Sequence, residues 1–217
     1  MRFRNREEAA WLLAERLAAY RGRRPLVLGV PRGAVPMARI VAEALGGDLD
    51  VVLVRKLRAP EQPELAIGAV DETGAVLQGR YFGLASDEYL REEIRAQQEI
   101  LRTRRERYSA RTGRPIDPAG RVVIIVDDGI ATGSSMLAAI RSVRARRPGK
   151  IVAAIGVAPP DSIRRMEAEA DEVICLHAPD DFHAVGQFFE DFSEVTDEMV
   201  AAALSAPVRS SAPDPVA

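Results

Sequence analysis

Two rhythms of apolar residues alternate along this chain. Runs that are apolar almost without interruption occupy residues 26–30, 51–54, 122–126, 151–157 and 172–176. Elsewhere apolar residues recur at helical spacing. Met37, Ile40, Val41, Ala44 and Leu45 mark one such stretch, closed by Gly46-Gly47. Residues 134–147, ended by Pro148-Gly149, and 160–168, opened by Pro159-Pro160, mark two more. The periodic stretches predict helices and the runs predict strands. Strands without polar alternation belong to a sheet covered on both faces. Strand–helix–strand order makes that sheet mostly parallel, with right-handed crossovers. The expected fold is α/β: an open, mostly parallel, twisted sheet with helices on both faces.

Three stretches leave this rhythm. Near the N-terminus Asn5 reads as a helix cap, with Glu8 three residues on as in a capping box. Ala10, Leu13, Leu17 and Tyr20 then line one helical face, and Gly22 is the expected stop. Residues 66–77 read as a small hairpin turning at Asp71-Glu72-Thr73-Gly74. Residues 86–111 predict one long, very polar helix, in which Ile94, Leu101 and Tyr108 make a narrow seam spaced by sevens. So thin a seam places the helix across the domain edge, against a second copy of the chain in a homodimer, or over the active site. The Ala/Pro/Ser-rich residues 205–217 read as a disordered tail, which leaves 1–204 as one domain with an inserted helix.

Composition narrows the class. The 217 residues suit roughly one domain. Thirty Lys and Arg against 32 Asp and Glu leave a formal charge of −2, which argues against a global nucleic-acid or anionic-membrane binder. No apolar stretch approaches the ~20 residues of a membrane span, and no apolar core follows the N-terminal charges as in a signal peptide. The lone Cys175 rules out an intrachain disulfide and points to the cytoplasm. Cys175, His177 and His183 match no zinc spacing. The basic run Arg102, Arg104, Arg105, Arg107, Arg111 and Arg114, with Glu99 and Glu106 beside it, reads as a solvated helix face. Aromatics that would stack on RNA bases are nearly absent there.

The chemistry gathers in the loops that follow strands, where open parallel sheets bind ligands. After 122–126 comes Asp127-Asp128-Gly129-Ile130-Ala131-Thr132-Gly133-Ser134-Ser135, running into a helix. Free N–H groups, the helix dipole and short hydroxyls there make a cradle for a phosphate. The two carboxylates before it can accept hydrogen bonds from vicinal hydroxyls and help hold Mg²⁺. A phosphate at one end and a diol at the other describe a ribose 5-phosphate. Walker and hydrolase-elbow motifs are absent, and Gly29-Val30-Pro31-Arg32-Gly33-Ala34 is not a dinucleotide fingerprint.

The stretch from Val123 to Ser135 resembles the phosphoribosyl pyrophosphate (PRPP) motif of the type I phosphoribosyltransferases. The resemblance implies that Asp127 and Asp128 hold the ribose 2- and 3-hydroxyls, and that Ala131, Thr132, Gly133, Ser134 and Ser135 wrap the 5-phosphate. The acidic pair would meet metal only indirectly, through PRPP-bound Mg²⁺. Pro31, Arg32 and Gly33 stand where the family has its pyrophosphate loop, often with a cis peptide, here between Pro31 and Arg32. Arg55-Lys56 is similar to a pair in orotate and adenine phosphoribosyltransferases that reaches the pyrophosphate, and the polar residues 57–64 are placed like the family's mobile catalytic loop. The long helix at 86–111 is a departure from most members. Residues 179–192, with Phe182, His183, Gly186, Gln187, Phe188 and Phe189, offer either a base-recognition hood or core packing. The implied activity is transfer of the phosphoribosyl group from PRPP to a nitrogenous base or amine with release of pyrophosphate, with Asp127, Asp128, Arg32 and Lys56 as the catalytic set. The rival is a PRPP- or nucleotide-sensing regulator without turnover. In the 6-oxopurine branch an Asp occupies the place of Ala131, so hypoxanthine and guanine are expected to be poor acceptors.

Overall fold

The computed structural model describes residues 1–109 and 115–205. In chain order the elements are α1 (Arg6–Arg16), β1 (Leu26–Gly29), α2 (Ala34–Leu45), β2 (Asp48–Val51), β3 (Val54–Ala59), β4 (Gln62–Asp71), β5 (Val76–Gln78) and α3 (Asp87–Ser109). There follow β6 (Val122–Gly129), α4 (Ser134–Ala145), β7 (Lys150–Val157), α5 (Pro160–Glu167), β8 (Glu172–His177) and α6 (Asp197–Ser205).

Five strands pair in the order β2-β1-β6-β7-β8, all parallel. Both faces are covered. Val27, Ile124, Val126, Val152 and Ala154 pack with α1 and α2 on one side. Their neighbours Leu26, Leu28, Val123, Ile125, Ile151, Ala153 and Ile155 pack with α4 and Met166 of α5 on the other. Each such side chain contributes roughly 1.5–3 kcal/mol by leaving water, which is why these strands tolerate no polar alternation. From β1 the chain passes to β2 on one side, whereas β6, β7 and β8 extend the sheet on the other. The β1 and β6 loops therefore flank the point where strand order reverses, and a crevice opens there.

A second layer holds β3, β4 and β5 in an antiparallel sheet. Here the sequence reading needs correction. Residues 51–54 are not one strand: β2 ends at Val51 and β3 starts at Val54 in the other sheet. Val52 packs in the core beside Leu28, Leu53 in the core beside Leu57, so one apolar run serves two cores. Residues 57–64 are not a free loop either. They complete β3 and open β4, with Leu57 and Ala59 buried and Lys56 and Arg58 exposed. The outward positions of a two-residue alternation carry the charge that reads as a polar loop. The turn at Asp71 does form, its Oδ1 accepting from Thr73 N at 2.9 Å and Ala75 N at 3.0 Å.

The long helix α3 packs on this hairpin and on α6 of its own chain. Leu90, Leu101 and Tyr108 are buried and Ile94 partly so. Residues 110 and 111 of the predicted helix, and with them Arg111 and Arg114 of the basic run, lie outside the described ones. The reading of the basic run as a solvated face holds for Arg102, which pairs with Glu99 and Glu106 in the open. It fails for Arg105, which is largely covered between Asp50 and Glu72 at 2.8 and 2.5 Å. Nor did helical spacing reveal α6, whose last residue, Ser205, is where the tail was expected to start. At the other end, α1 has half a capping box. Asn5 accepts from Glu8 N at 3.0 Å, but Glu8 turns to Arg4 N instead of the cap residue. The helix ends at Arg16, short of Gly22.

Candidate functional site

Each loop at the switch point is shaped by its strand and by the helix it enters. After β6, Ile130 N is tied to Val157 O at 2.9 Å. Ala131 O accepts from Ser162 Oγ at 2.6 Å, so α5 fixes the outer turn. Gly133 takes a φ of +73° and packs against Met166, a left-handed position where a side chain is strained and crowded. The chain then enters α4 at Ser134, with no side chain capping its first turn. Those N–H groups and the Thr132 and Ser134 hydroxyls, 3.0 Å apart, face outward. Ala131, Thr132 and Ser135 are exposed.

After β1, the peptide joining Pro31 to Arg32 is cis. Gly33 follows, and a Cβ there would run into Asp128 Oδ2. That close approach brings the first loop against the acidic pair. Asp128 is buried, and Arg6 at the start of α1 donates to its Oδ2 at 2.7 Å. Arg6 in turn lies over the Phe192 ring, 3.8 Å from its centre, and donates to Ser193 O. Among the described residues no cation pairs with Asp127 in this way. Burial, and next the charge of Asp128, push its carboxyl well above the usual carboxylate range. The pair is therefore split: one carboxylate held by a guanidinium, the other reluctant to ionise.

A cavity of about 330 Å³ opens beside these loops, lined by Pro31, Ser135, Arg55 and Lys56 among others. Of the cations expected there, Lys56 is exposed and Arg55 half-buried, its Nε donating to Gln97 Oε1 of α3 at 2.5 Å. Arg32 lies apart, paired with Glu194. Pro31 and Ser135 thus share one cavity with Arg55 and Lys56, and Gly33 of the first loop lies against Asp128 of the second. The segment 179–192 divides. Phe188 and Phe189 are core, and Phe189 rests on Phe3. Gln187 holds its own loop by accepting from His183 N and Ala184 N. His183 is exposed beside Asp181. Phe192 reaches the site through Arg6, and Val185 lies against Gly129 beside the acidic pair.

The residues do not make a protein-held Mg²⁺ site. Among the described residues no three His, Cys, Asp or Glu side chains cluster for a metal, and of the acidic pair one is ion-paired and the other is pushed above the usual carboxylate range by burial and by its neighbour's charge. Mg²⁺ fits this crevice only as the companion of a phosphorylated ligand. Cys175 donates to His177 O and is pushed up by burial, which suits a packed thiol. No helix among the described residues is long and apolar enough to cross a membrane.

Sequence reasoning missed Arg6, Phe192 and Glu194. Nothing local marks them: Arg6 meets Asp128 across 122 residues and Glu194 meets Arg32 across 162.

Comparison with known proteins agrees with this fold. Residues 4–193 match the family model described as a phosphoribosyl transferase domain. The chain is 43% identical over 209 residues to a protein of Mycobacterium tuberculosis named "Putative phosphoribosyl transferase", found alike in strains CDC 1551 and H37Rv. That match covers 93% of this chain and 46% of the relative, so the chain spans about half the length of the curated relatives it matches. It also superimposes on the crystal structure of TT1426 from Thermus thermophilus with a TM-score of 0.86, at 48% identity, covering 94% of this chain and 98% of that one.

Proposed function

This chain belongs to the phosphoribosyl transferase family, and within it we propose that the chain takes PRPP, accompanied by Mg²⁺, and passes its 5-phosphoribosyl group to a nitrogenous acceptor. The C1–oxygen bond to pyrophosphate breaks, a C1–nitrogen bond forms, and the acceptor's proton leaves to solvent or to the departing pyrophosphate. The observation that carries this reading is the contact of Gly33 with Asp128. It brings the loop after β1 against the acidic pair that leads into the phosphate cradle, the order of parts that a ribose carrying a 5-phosphate and a 1-diphosphate calls for.

In this reading the N-terminus of α4 and residues 131–135 take the 5-phosphate. Asp127 and Asp128 accept from the ribose hydroxyls and so fix C1 relative to the leaving group. Arg6 holds Asp128 in place through its hydrogen bond to Oδ2. Pro31, Gly33, Arg32, Arg55 and Lys56 receive the pyrophosphate and stabilise the charge that gathers on it as the bond breaks. Arg32 exchanges Glu194 for the ligand when it does so. The Ala131 methyl cannot accept a proton, so hypoxanthine and guanine, whose transfer benefits from a base at that place, are poor acceptors.

Release of pyrophosphate from Mg²⁺ and PRPP, screened across purines, pyrimidines, orotate and small amines, tests the reading. Turnover is expected with at least one acceptor outside the 6-oxopurines. Efficient turnover of guanine or hypoxanthine refutes the argument from Ala131. PRPP bound tightly but never cleaved would make the chain a sensor.

A further inference from the structure

The cavity beside the crevice holds more positive charge than the pair Arg55-Lys56 supplies. Arg58 on β3 and Arg104 on α3 also line it, so four cations share about 330 Å³ with Pro31 and Ser135. Arg104 differs from its neighbours on the helix. Arg102, Arg105 and Arg107 each have carboxylate partners: Glu99 and Glu106, Asp50 and Glu72, Asp197 and Glu198. Among the described residues no carboxylate is paired with Arg104, Arg58 or Lys56. Arg104 is nevertheless half-buried, and its field is felt inside the cavity. Burial first, then Arg104 and Arg58, hold the Arg55 guanidinium below its usual range. Glu93 offsets part of this charge at Arg55, but one carboxylate faces four cations, and like charges gathered in a concave, partly desolvated place cost free energy that an anion relieves. The helix is also fixed there. Gln97 accepts from Arg55, and Glu93 Oε1 accepts from Arg58 N at 3.2 Å and from Gln97 Nε2 at 3.1 Å, so α3 and β3 form one wall.

We propose that Arg104, with Arg58, is an anion-binding residue of this cavity, and that the inserted helix α3 is thereby a working part of the site that receives a diphosphate group. The proposal rests on the phosphoribosyl-transfer reading, since the diphosphate it names is the leaving group of that reaction. Ser135 of the phosphate cradle and Lys56 and Arg104 line the same cavity, so a diphosphate group in it meets all three.

Calorimetric titration of the full chain with inorganic pyrophosphate, across a salt series, tests it. Arg104→Gln should weaken binding roughly ten- to a hundredfold, the effect of losing one charge-assisted contact, and should flatten the salt dependence. Arg104→Lys should recover part of the affinity. Arg102→Gln, one position set away on the exposed face, should bind as the unmodified chain does. If Arg104→Gln binds pyrophosphate normally while Lys56→Gln does not, α3 is outside the site and the proposal falls, with the transfer reading intact. A loss of affinity that follows a lowered melting temperature and leaves the salt dependence unchanged makes Arg104 structural and overturns the proposal as well. An unmodified chain that binds neither pyrophosphate nor PRPP overturns the transfer reading, and this inference with it.

Discussion

The parallel sheet and the hairpin-and-helix layer place charged groups near one crevice by different means. In the sheet, backbone does the placing. Asp127 and Asp128 stand at the end of β6 because the strand is locked in register between β1 and β7, and the phosphate cradle follows because α4 must begin there. In the second layer, side chains do it. Arg55 is held by Gln97 across 42 residues, and Arg105 binds Asp50 across 55 and Glu72 across 33. A site built on backbone depends on residues close in sequence. A site built on ion pairs depends on partners that only the tertiary fold brings together, and each can be lost by one substitution far from the ligand.

Arg105→Ala should show the largest effect. Arg105 satisfies two inward carboxylates and Val51 O at 3.2 Å. Although burial pulls its pKa down, Glu72 and Asp50 hold it above the usual guanidinium range. Removing it leaves Asp50 and Glu72 desolvated without a cation, at a cost of ~3–5 kcal/mol, or a loss on the order of 10 °C in melting temperature. Calorimetry measures this directly. If the melting temperature hardly moves, α3 is not pinned to the two sheets through Arg105. Amide exchange should show the damage concentrated in α3 and β3–β5, with β6 and β7 the last to open.

This contrast also explains what was legible in the sequence. Four of the five parallel strands and the loop 127–135 were readable because uninterrupted apolar runs mark strands buried on both faces, and because Gly, Thr and Ser before a helix have a local geometric meaning; β2 was not, because the run 51–54 is divided between two sheets. The strand β3 was not, because Lys56, Arg58 and the residues beside them look like a loop unless Leu57 and Ala59 are known to face a core. The helix α3 was legible as a helix, but its role was not. Seven-residue spacing shows a seam without showing what it rests on, and the difference between solvated Arg102 and largely covered Arg105 lies wholly in Asp50 and Glu72.

Within the acidic pair, Asp127→Asn and Asp128→Asn should part company. Both lose charge-assisted hydrogen bonds to the ribose diol, ~1.5–3 kcal/mol each, so PRPP affinity should fall at least tenfold in either variant. Stability should move in opposite directions. Asp128→Asn weakens the partner of Arg6 and should melt lower. Asp127 binds its proton more tightly folded than unfolded. Between the ordinary carboxylate pKa and its raised one, the folded state therefore carries more protons, and stability falls as pH rises through that window. Asparagine has no proton to lose. Asp127→Asn should thus melt above the unmodified chain at neutral pH, with the gap closing as pH falls towards 4. A gap that widens on acidification means that Asp127 is ionised at little cost and the split between the two carboxylates is not real.

The smallest effect tests the one site cation held from outside both layers. Arg32 pairs with Glu194, which precedes α6 and is largely exposed. An exposed pair of this kind contributes ~0–1 kcal/mol, so Glu194→Gln should leave the melting temperature within about a degree or two. Its effect on ligand should be the reverse of every variant above. Arg32 must leave Glu194 before it can meet a pyrophosphate, and that exchange subtracts the strength of the pair from the binding free energy. Removing the competitor should tighten PRPP binding by up to about fivefold, the equivalent of ~1 kcal/mol, most visibly at low salt where the pair is least screened. Arg32→Gln supplies the counterpart: it should weaken PRPP, and combining it with Glu194→Gln should erase the gain. Tightening by Glu194→Gln that survives in the double variant would show that Glu194 repels the ligand directly, and that Arg32 is not the group it restrains.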